Sequence, residues 1–387
     1  MRASWRASGL TAQWLAAALA LAGCASLSPA RYHGPPSDHF DGRRFHNYVR
    51  FKDQQIEDAI RLELHTLQGK RGHWARWQDV TTDVPPQRVG GGQLRVTFVN
   101  HATVLIQVDS INILTDPVWS NRISPVRWFG PKRHRPPGIR FDDLPPIDLV
   151  LISHNHYDHM DIGTLKRLVA RSHPLIVTGL GNARYLADHG VPDAQELDWW
   201  QAIAIRDGIR LTGVPAQHWS ARGLGDKWQT LWLGFVIEAP SGVVYFAGDT
   251  GFAEFFSQIR DRFPRFRLAI LPIAPARPRR AMAPRHMSAG DAVKAAQLFG
   301  ASTSMAMHFG TFQQGDDAED EPLDSLRAAL ATAGDCAPRF WALGNGEARF
   351  VPADSVTRDQ RCSGPSTPSG AGERADRTLA GRPPVRR

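Results

Sequence analysis

Three histidines and one aspartate fall within six consecutive positions in Ser153-His154-Asn155-His156-Tyr157-Asp158-His159. The run 148–153 leading into them is largely apolar and follows Pro145-Pro146, the pattern of a strand buried on both faces. A tight loop leaving such a strand can aim alternate side chains to one side. His154 and His156 would then meet one cation, with Asp158 and His159 on a neighbour. Imidazole and carboxylate donors suit zinc, which keeps an open position in catalytic sites; iron or manganese accept similar ligands. The chain is therefore expected to fold so that the end of a central strand becomes a metal centre, with two Zn2+ per chain.

Short β-branched runs at 94–99, 103–108 and 111–116 are separated by Asn-His and Asp-Ser pairs of turn character. Ile162, Leu165, Leu168 and Val169 follow helical spacing ahead of a strand at 175–178. Asn182 opens a helix that Gly190 stops. Further strands are predicted at 209–214, 230–237, 243–247, 268–273 and 304–308. Ser288 and Asp291 read as a capping pair for a helix closed by Gly300, and 322–333 as another helix. Such a mixture is α/β (α+β) in class. Two packed sheets with helices outside, a four-layer αββα sandwich, fit it; periodicity alone leaves a doubly wound sheet open.

The N-terminus reads as a targeting segment outside the fold. Arg2 and Arg6 precede an apolar stretch at 10–22 that is too short to span a bilayer. Leu21-Ala22-Gly23-Cys24 resembles a bacterial lipoprotein box, so residues 1–23 are expected to be a signal peptide and Cys24 the lipidated residue. Ala25 in place of Asp favours an outer-membrane, periplasm-facing position on the cell envelope. Residues 24–80 read as tether and N-terminal extension, rich in Pro, Ser and Gly over 25–45 and with a helix near 55–67. The catalytic domain is assigned to 81–355 and a disordered basic tail to 356–387, where large apolar side chains are almost absent. Cys336 and Cys362 could pair in an oxidising compartment.

Lys and Arg number 46 against 38 Asp and Glu, a net charge of +8 that favours anionic partners. No basic stripe interleaved with aromatics and no nucleic-acid module is visible, which ranks nucleic acid low as a partner. Oligomeric state is left open.

The His-x-His-x-Asp-His loop resembles that of the metallo-β-lactamase superfamily, whose members are αββα sandwiches with metals at one edge between the sheets. The resemblance implies three further ligands, each after a strand. His218, in Pro215-Ala216-Gln217-His218-Trp219, would be the third ligand of the first ion. Asp249, in Phe246-Ala247-Gly248-Asp249-Thr250-Gly251, would bridge both ions, and His308, in Met307-His308-Phe309-Gly310, would complete the second. True β-lactamases of the superfamily usually carry a Cys ligand and lack the bridge, so antibiotic hydrolysis is disfavoured. A bridging carboxylate draws two dications together, and a hydroxide between them becomes a nucleophile near neutral pH.

A narrower resemblance runs over roughly 94–350. Asn100-His101-Ala102-Thr103-Val104, Leu114-Thr115-Asp116-Pro117, Gly130-Pro131-Lys132-Arg133, Glu196-Leu197-Asp198-Trp199-Trp200 and His308-Phe309-Gly310-Thr311-Phe312 are similar to the N-acyl-phosphatidylethanolamine-hydrolysing phospholipase D family. That family's reaction attacks phosphorus in the headgroup diester, releasing phosphatidic acid and an N-acylethanolamine. The expected partners are therefore a phospholipid or other ester substrate and, through Cys24, a membrane. Asp116 would orient a metal-bound histidine, or simply start a turn before Pro117. His286 would touch a phosphate oxygen or leaving group, or face solvent; Asp158 is both ligand and catalytic candidate. His101 would be a pocket donor or, on the favoured reading, only a hairpin residue; Lys132, Arg133 and Arg135 read as a solvated basic loop or a headgroup contact. Trp119, Trp128, Trp219 and Trp228 would cap the core, line an acyl groove or rest at a lipid interface. Two competing readings are the same metal site acting on a lactone or small phosphodiester, and a non-catalytic envelope binding protein.

Overall fold

Successive residues of the central strands are all apolar, yet they serve two different layers. In the strand at Leu149–Ile152, Leu149 and Leu151 join one apolar cluster while Val150 and Ile152 join another. The same split separates Ile113 from Leu114 and Val177 from Ile176. Side chains two apart share a face, so a strand with both faces apolar must be covered on both. One side meets a second sheet, the other a layer of helices.

The computed structural model describes residues 29–353 apart from 52–56, 58–60, 62–63, 127, 207, 224 and 264. The expected signal peptide, Cys24 and the tail at 356–387 lie outside the described residues, as does part of the helix expected at 55–67, of which 64–67 is helical. Cys336 is disulfide-bonded, and Cys362 lies outside the described residues.

The first sheet contains β1 (Leu94–Asn100), β2 (Thr103–Val108), β3 (Ile111–Thr115), β4 (Leu149–Ile152), β5 (Leu175–Gly179), β6 (Gln195–Leu197) and β14 (Ala348–Phe350), in the order β14-β1-β2-β3-β4-β5-β6. The second contains β7 (Ala202–Arg206), β8 (Ile209–Val214), β9 (Gly234–Ala239), β10 (Gly242–Phe246), β11 (Leu268–Pro272), β12 (Thr303–Met307) and β13 (Phe340–Trp341), in the order β13-β12-β11-β10-β9-β8-β7. Strands β3, β4, β5 and β6 run parallel, as do β10, β11, β12 and β13. Their C-terminal ends therefore gather along one edge of each sheet.

Helices α1 (Ile162–Ser172) and α2 (Ala183–Asp188) cover the first sheet through Leu165, Leu168 and Leu186. The second sheet is covered by α3 (Phe255–Arg262) and α5 (Ala289–Phe299), with α6 (Glu321–Ala333) packed on α5 and the short α4 (Arg279–Met282) in the preceding loop. The expected four-layer αββα sandwich is the observed one. The capping box of Ser288 and Asp291 and the left-handed Gly300 bound α5 as the sequence predicts. The stretch 230–233 does not join the ladder, and β9 starts at Gly234. Strands β6, β7, β13 and β14 were not predicted: three have two or three residues, and each lies at or next to a sheet edge.

The expectation of a free tether over 25–45 does not hold for its later half. Phe40 and Phe45 are buried in the main core, their rings 4.6 Å apart. Backbone bonds from Tyr32 to Gln229 and from Phe45 to Trp228 tie the segment down. Two fully buried aromatics contribute roughly 1.5–3 kcal/mol each, enough to hold a Pro- and Gly-containing strap in place.

Candidate metal centre

Each candidate ligand stands just past the C-terminal end of a strand. The loop after β4 carries His154, His156, Asp158 and His159; β8 leads to His218, β10 to Asp249 and β12 to His308. Asp116 follows β3, which is β4's parallel neighbour, and accepts from the Ser153 backbone N–H at 2.7 Å. Gly248, at φ 59, lets the Asp249 loop approach the first sheet, because a Cβ there would sit 2.6 Å from Ser153 Cβ. His308 and Asp116 also have positive φ, 64 and 34, held by surrounding bonds rather than by residue preference.

Two groups of side chains result, with ligand atoms mutually within 4.8 Å: His154, His156 and His218, and Asp158, His159 and His308, the latter joined by His101. Asp249 ties them together, its Oδ2 lying 3.0 Å from His308 Nε2, 3.4 Å from His159 Nε2 and 3.7 Å from His218 Nε2. All are buried except His156, which is partly exposed in the cleft.

The outer hydrogen bonds decide where the ring protons sit. His159 Nδ1 donates to Asp116 Oδ2 at 2.6 Å, His308 Nδ1 to the Ala274 carbonyl at 3.0 Å and His218 Nδ1 to the Arg285 carbonyl at 2.9 Å. Ser153 Oγ donates to Asp116 Oδ2 at 2.7 Å, so it accepts from His154 Nδ1 at 2.9 Å. In its neutral form each of these four rings thus presents a bare Nε2 lone pair inward. His159 Nε2 and His308 Nε2 face each other at 3.3 Å, and His154 Nε2 faces His156 Nδ1 at 2.7 Å. Two lone pairs facing at such range repel unless a proton or a cation stands between them. Asp249 Oδ1, buried without a partner, adds an anionic acceptor to the same space. The donor set fits two borderline divalent ions.

Electrostatics agree. Burial pushes His156 and His218 down to about 3 and His154 well below the ordinary value, leaving neutral imidazoles. Burial alone would raise Asp158 and Asp249, but the adjoining histidines, chiefly His159 and His308, hold both well below the carboxylate range. His159 is correspondingly raised, and His308 is raised to about 9 because Asp249 outweighs its burial. The paired carboxylates demand positive charge at this point, which protons or metal cations can supply.

Asp116 accepts from His159 and Ser153 at the far side of the cluster, an orienting position. His286 is buried with its Nδ1 unpartnered, 3.6 Å from Asp249 Oδ2, and so faces the centre rather than solvent. His101 does sit in the β1–β2 turn, but it is buried, donates from Nε2 to Asp158 Oδ2 at 3.0 Å and packs against His308. The favoured hairpin reading was incomplete, and the bond to Asp158 matches the pocket-donor alternative. Gln314 Nε2 donates to the same Asp158 oxygen at 2.8 Å.

The basic loop reading fails for two of its three residues. Arg133 is buried, donates to the Ser120 and Val118 carbonyls and covers Phe312; burial lowers it to about 10. Arg135 pairs with Glu319. Only Lys132 is exposed. Of the tryptophans, Trp119 bonds to the Ile139 carbonyl, Trp228 packs on Trp232, Trp219 stands beside His156 and Trp128 is 66% exposed. Two anchors were not foreseen: Asn47, bonded to the His218 backbone, and Arg222, which donates to the Asn155 and Met160 carbonyls beneath the ligand loop. Nothing in their local sequence marks either.

The centre opens into a cavity of about 610 Å³ with mostly apolar walls that include Ile123, Pro131, Trp219 and Met282. A more polar cavity of about 560 Å³ adjoins it across Tyr157 and Arg222.

Residues 111–309, spanning every candidate ligand, match the family described as Beta-lactamase superfamily domain. The chain belongs to the metallo-β-lactamase superfamily. Over 249 residues it is 34% identical to the N-acyl-phosphatidylethanolamine-hydrolyzing phospholipase D 1 of Caenorhabditis elegans, covering 61% of this chain and 70% of the relative. It is 30% identical to a metal-dependent hydrolase of Methanopyrus kandleri, covering 57% of this chain and 85% of that protein. In fold it resembles a metallo hydrolase from Ignicoccus hospitalis, with TM-score 0.51 and 19% identity over 67% of this chain and 98% of that one. Superfamily membership and the histidine–aspartate cluster make it a metal-dependent hydrolase.

Proposed function

We propose that this hydrolase is a dinuclear zinc phosphodiesterase acting on N-acyl-phosphatidylethanolamine-type phospholipids. The observation that carries the metal reading is the inward convergence of the bare ring nitrogens of His154, His159, His218 and His308 on Asp249. His154, His156 and His218 would hold one ion and Asp158, His159 and His308 the other, with Asp249 shared. Bound there, the ions would supply Lewis acidity toward a phosphoryl oxygen and lower the pKa of water toward neutrality.

The protein's own part is positional. Asp116, Ser153 and the carbonyls of Ala274 and Arg285 fix four imidazoles in one tautomer, so no reorganisation is needed when substrate arrives. His101 and Gln314 occupy one oxygen of Asp158 and so orient that carboxylate. His286, kept neutral by burial, can offer a ring N–H to a phosphoryl or leaving-group oxygen at the cavity wall. In the overall reaction water adds to phosphorus, the bond from phosphorus to the ethanolamine oxygen breaks, and that oxygen leaves protonated. The mostly apolar cavity supports a substrate with acyl chains, and the similarity to the nematode phospholipase D favours this diester.

Attachment to a bacterial envelope through lipidated Cys24 belongs to the same proposal, motivated by the box at 21–24. Replacing Cys24 with Ser should move the protein out of the membrane fraction; unchanged fractionation would remove the anchor. For the activity, purified protein is assayed on N-acyl-phosphatidylethanolamine, a lactone and a bis-aryl phosphodiester. Release of phosphatidic acid is expected. Turnover of the lactone and the aryl diester without phosphatidic acid would replace the lipid by a smaller ester.

A further inference from the structure

Among the described residues that wall the metal cavity, Gln314 alone carries a side-chain amide. Its Nε2 donates at 2.8 Å to Asp158 Oδ2, the oxygen that also takes His101 Nε2 at 3.0 Å. A ligating carboxylate can only accept, so the amide nitrogen must face Asp158 and the amide oxygen must face away. Gln314 has no other side-chain hydrogen bond among the described residues, and it is only partly buried. Its Oε1 is therefore open to the cavity; the other void it touches, about 20 Å³, has room for about one water. The amide is also held rigidly. Arg71 donates to the carbonyls on either side of it, Gln313 at 3.3 Å and Gly315 at 2.7 Å, and Gln313 Nε2 bonds to the Gly72 carbonyl at 2.9 Å. At Gly315 a Cβ would stand 2.7 Å from Pro275 Cβ, so the chain has no slack there. An acceptor fixed in this way needs little reorganisation when a donor arrives.

What Gln314 would accept follows from its place. The Asp158 oxygen that it holds lies 3.1 Å from His159 Nε2 and 3.5 Å from His308 Nε2. The open amide oxygen is thus a neighbour of the proposed ion position, within reach of a headgroup whose phosphate is bound there. Another neutral oxygen of the wall, the Tyr157 hydroxyl, is turned to the Arg222 carbonyl at 2.9 Å. An amide oxygen needs an N–H or O–H donor, and an ammonium group would serve as well as an amide by that measure alone. The Arg222 guanidinium, however, shares the cavity wall and donates to neutral oxygens only, the Tyr185 hydroxyl and the Asn155 and Met160 carbonyls. Its charge disfavours a second cation and leaves the uncharged N–H of a secondary amide as the better match.

We infer that Gln314 determines headgroup specificity: its Oε1 accepts the N–H of an N-acylated headgroup and selects diesters whose leaving alcohol carries a secondary amide. The inference rests on the phospholipid reading of the same site and deepens it by naming the residue that tells such a headgroup from its relatives.

The test compares N-acyl-phosphatidylethanolamine with its N-methyl analogue, which keeps the acyl chain and the diester but lacks the N–H. Native protein is expected to favour the N–H lipid in kcat/KM by about tenfold or more, as for a fixed acceptor left unpaired. Gln314→Met removes the acceptor at similar length, and the ratio should fall to within about twofold of unity. Loss of the bond to Asp158 lowers both rates alike, so a merely structural role for Gln314 would leave the ratio at its native value. Where turnover of the variant is too slow, calorimetric binding of N-acylethanolamine and its N-methyl form gives the same ratio. An unchanged ratio in Gln314→Met, or native protein that cleaves both lipids equally, would overturn the inference while the phospholipase reading stands. Native protein that yields phosphatidic acid from neither lipid would remove both.

Discussion

Asn47 holds the backbone of His218 from both sides. Its side-chain N–H donates to the His218 carbonyl at 2.7 Å, its side-chain oxygen accepts from the His218 N–H at 3.0 Å, and Trp232 Nε1 donates to that oxygen at 2.9 Å. A segment of Pro- and Gly-rich character thus fixes a metal-ligand candidate more than 170 residues away. Asn47→Ala leaves the buried N–H and carbonyl of His218 without partners, while Trp232 Nε1 keeps the Ala216 carbonyl, and is expected to cost about 2–4 kcal/mol. It should also weaken metal retention at the His154–His156–His218 group. Thermal unfolding with and without chelator checks both; a variant as stable and metal-rich as the native protein would detach the strap from the site.

Asp116 touches no expected metal position, yet three bonds converge on it from His159 and Ser153. Asp116→Ala should lower metal affinity roughly 10–100-fold without abolishing binding, as for carboxylates behind ligating histidines. Competition with a graded chelator measures the change. Unchanged affinity would return Asp116 to a turn residue.

His286 has an unpartnered Nδ1 at the cavity wall beside Asp249. His286→Ala should reduce kcat about 10²-fold or more while both ions are retained, in line with loss of a general acid or hydrogen-bond donor. Loss of metal instead would make it a ligand, and unchanged kinetics a bystander.

The strap carries a titratable latch. His39 stacks on Trp199 and lies between Asp38 at 2.5 Å and Asp198 at 2.7 Å. Burial lowers its pKa, but the bonds to Asp198 and Asp38 outweigh that and raise it above 6.5. A raised histidine binds its proton more tightly when folded, so its contribution is complete below pH 6.5 and disappears as pH rises through the folded-state value. Hydrogen exchange over 29–51 should therefore accelerate with alkalinity more than base catalysis explains. In His39→Gln that additional dependence should vanish; its persistence would place the switch elsewhere.

Much of the architecture was readable because the central strands are long apolar runs at a fixed period, and because Ser288, Asp291 and Gly300 carry local capping chemistry. The candidate ligands at 154–159 stood out because three imidazoles and a carboxylate crowd one loop after an apolar strand, whereas His218, Asp249 and His308 were singled out only through the superfamily resemblance, and the fold brings all seven together. What escaped was fixed by tertiary partners instead. Strands β6 and β14 gain their form from β5 and β1, and three residues have no period of their own. Phe40 and Phe45 find a core only once Trp228 and Trp232 are in place. Arg133 resembles its solvated neighbours in sequence, yet the carbonyls of Val118 and Ser120 need its guanidinium inside. Asn47 and Arg222 serve the site through backbone atoms of distant residues, a role that leaves no local pattern.

The central claim is that seven side chains enclose two cations, and metal counting with anomalous diffraction addresses it most directly. Native protein should carry two ions per chain, one against His154, His156 and His218 and one against Asp158, His159 and His308. Asp249→Ala should hold fewer and show no turnover, and chelation should lower Tm by the amount that ligand linkage requires. An Asp249→Ala protein with two ions and full activity, or native protein whose pocket takes up no metal, would contradict the account.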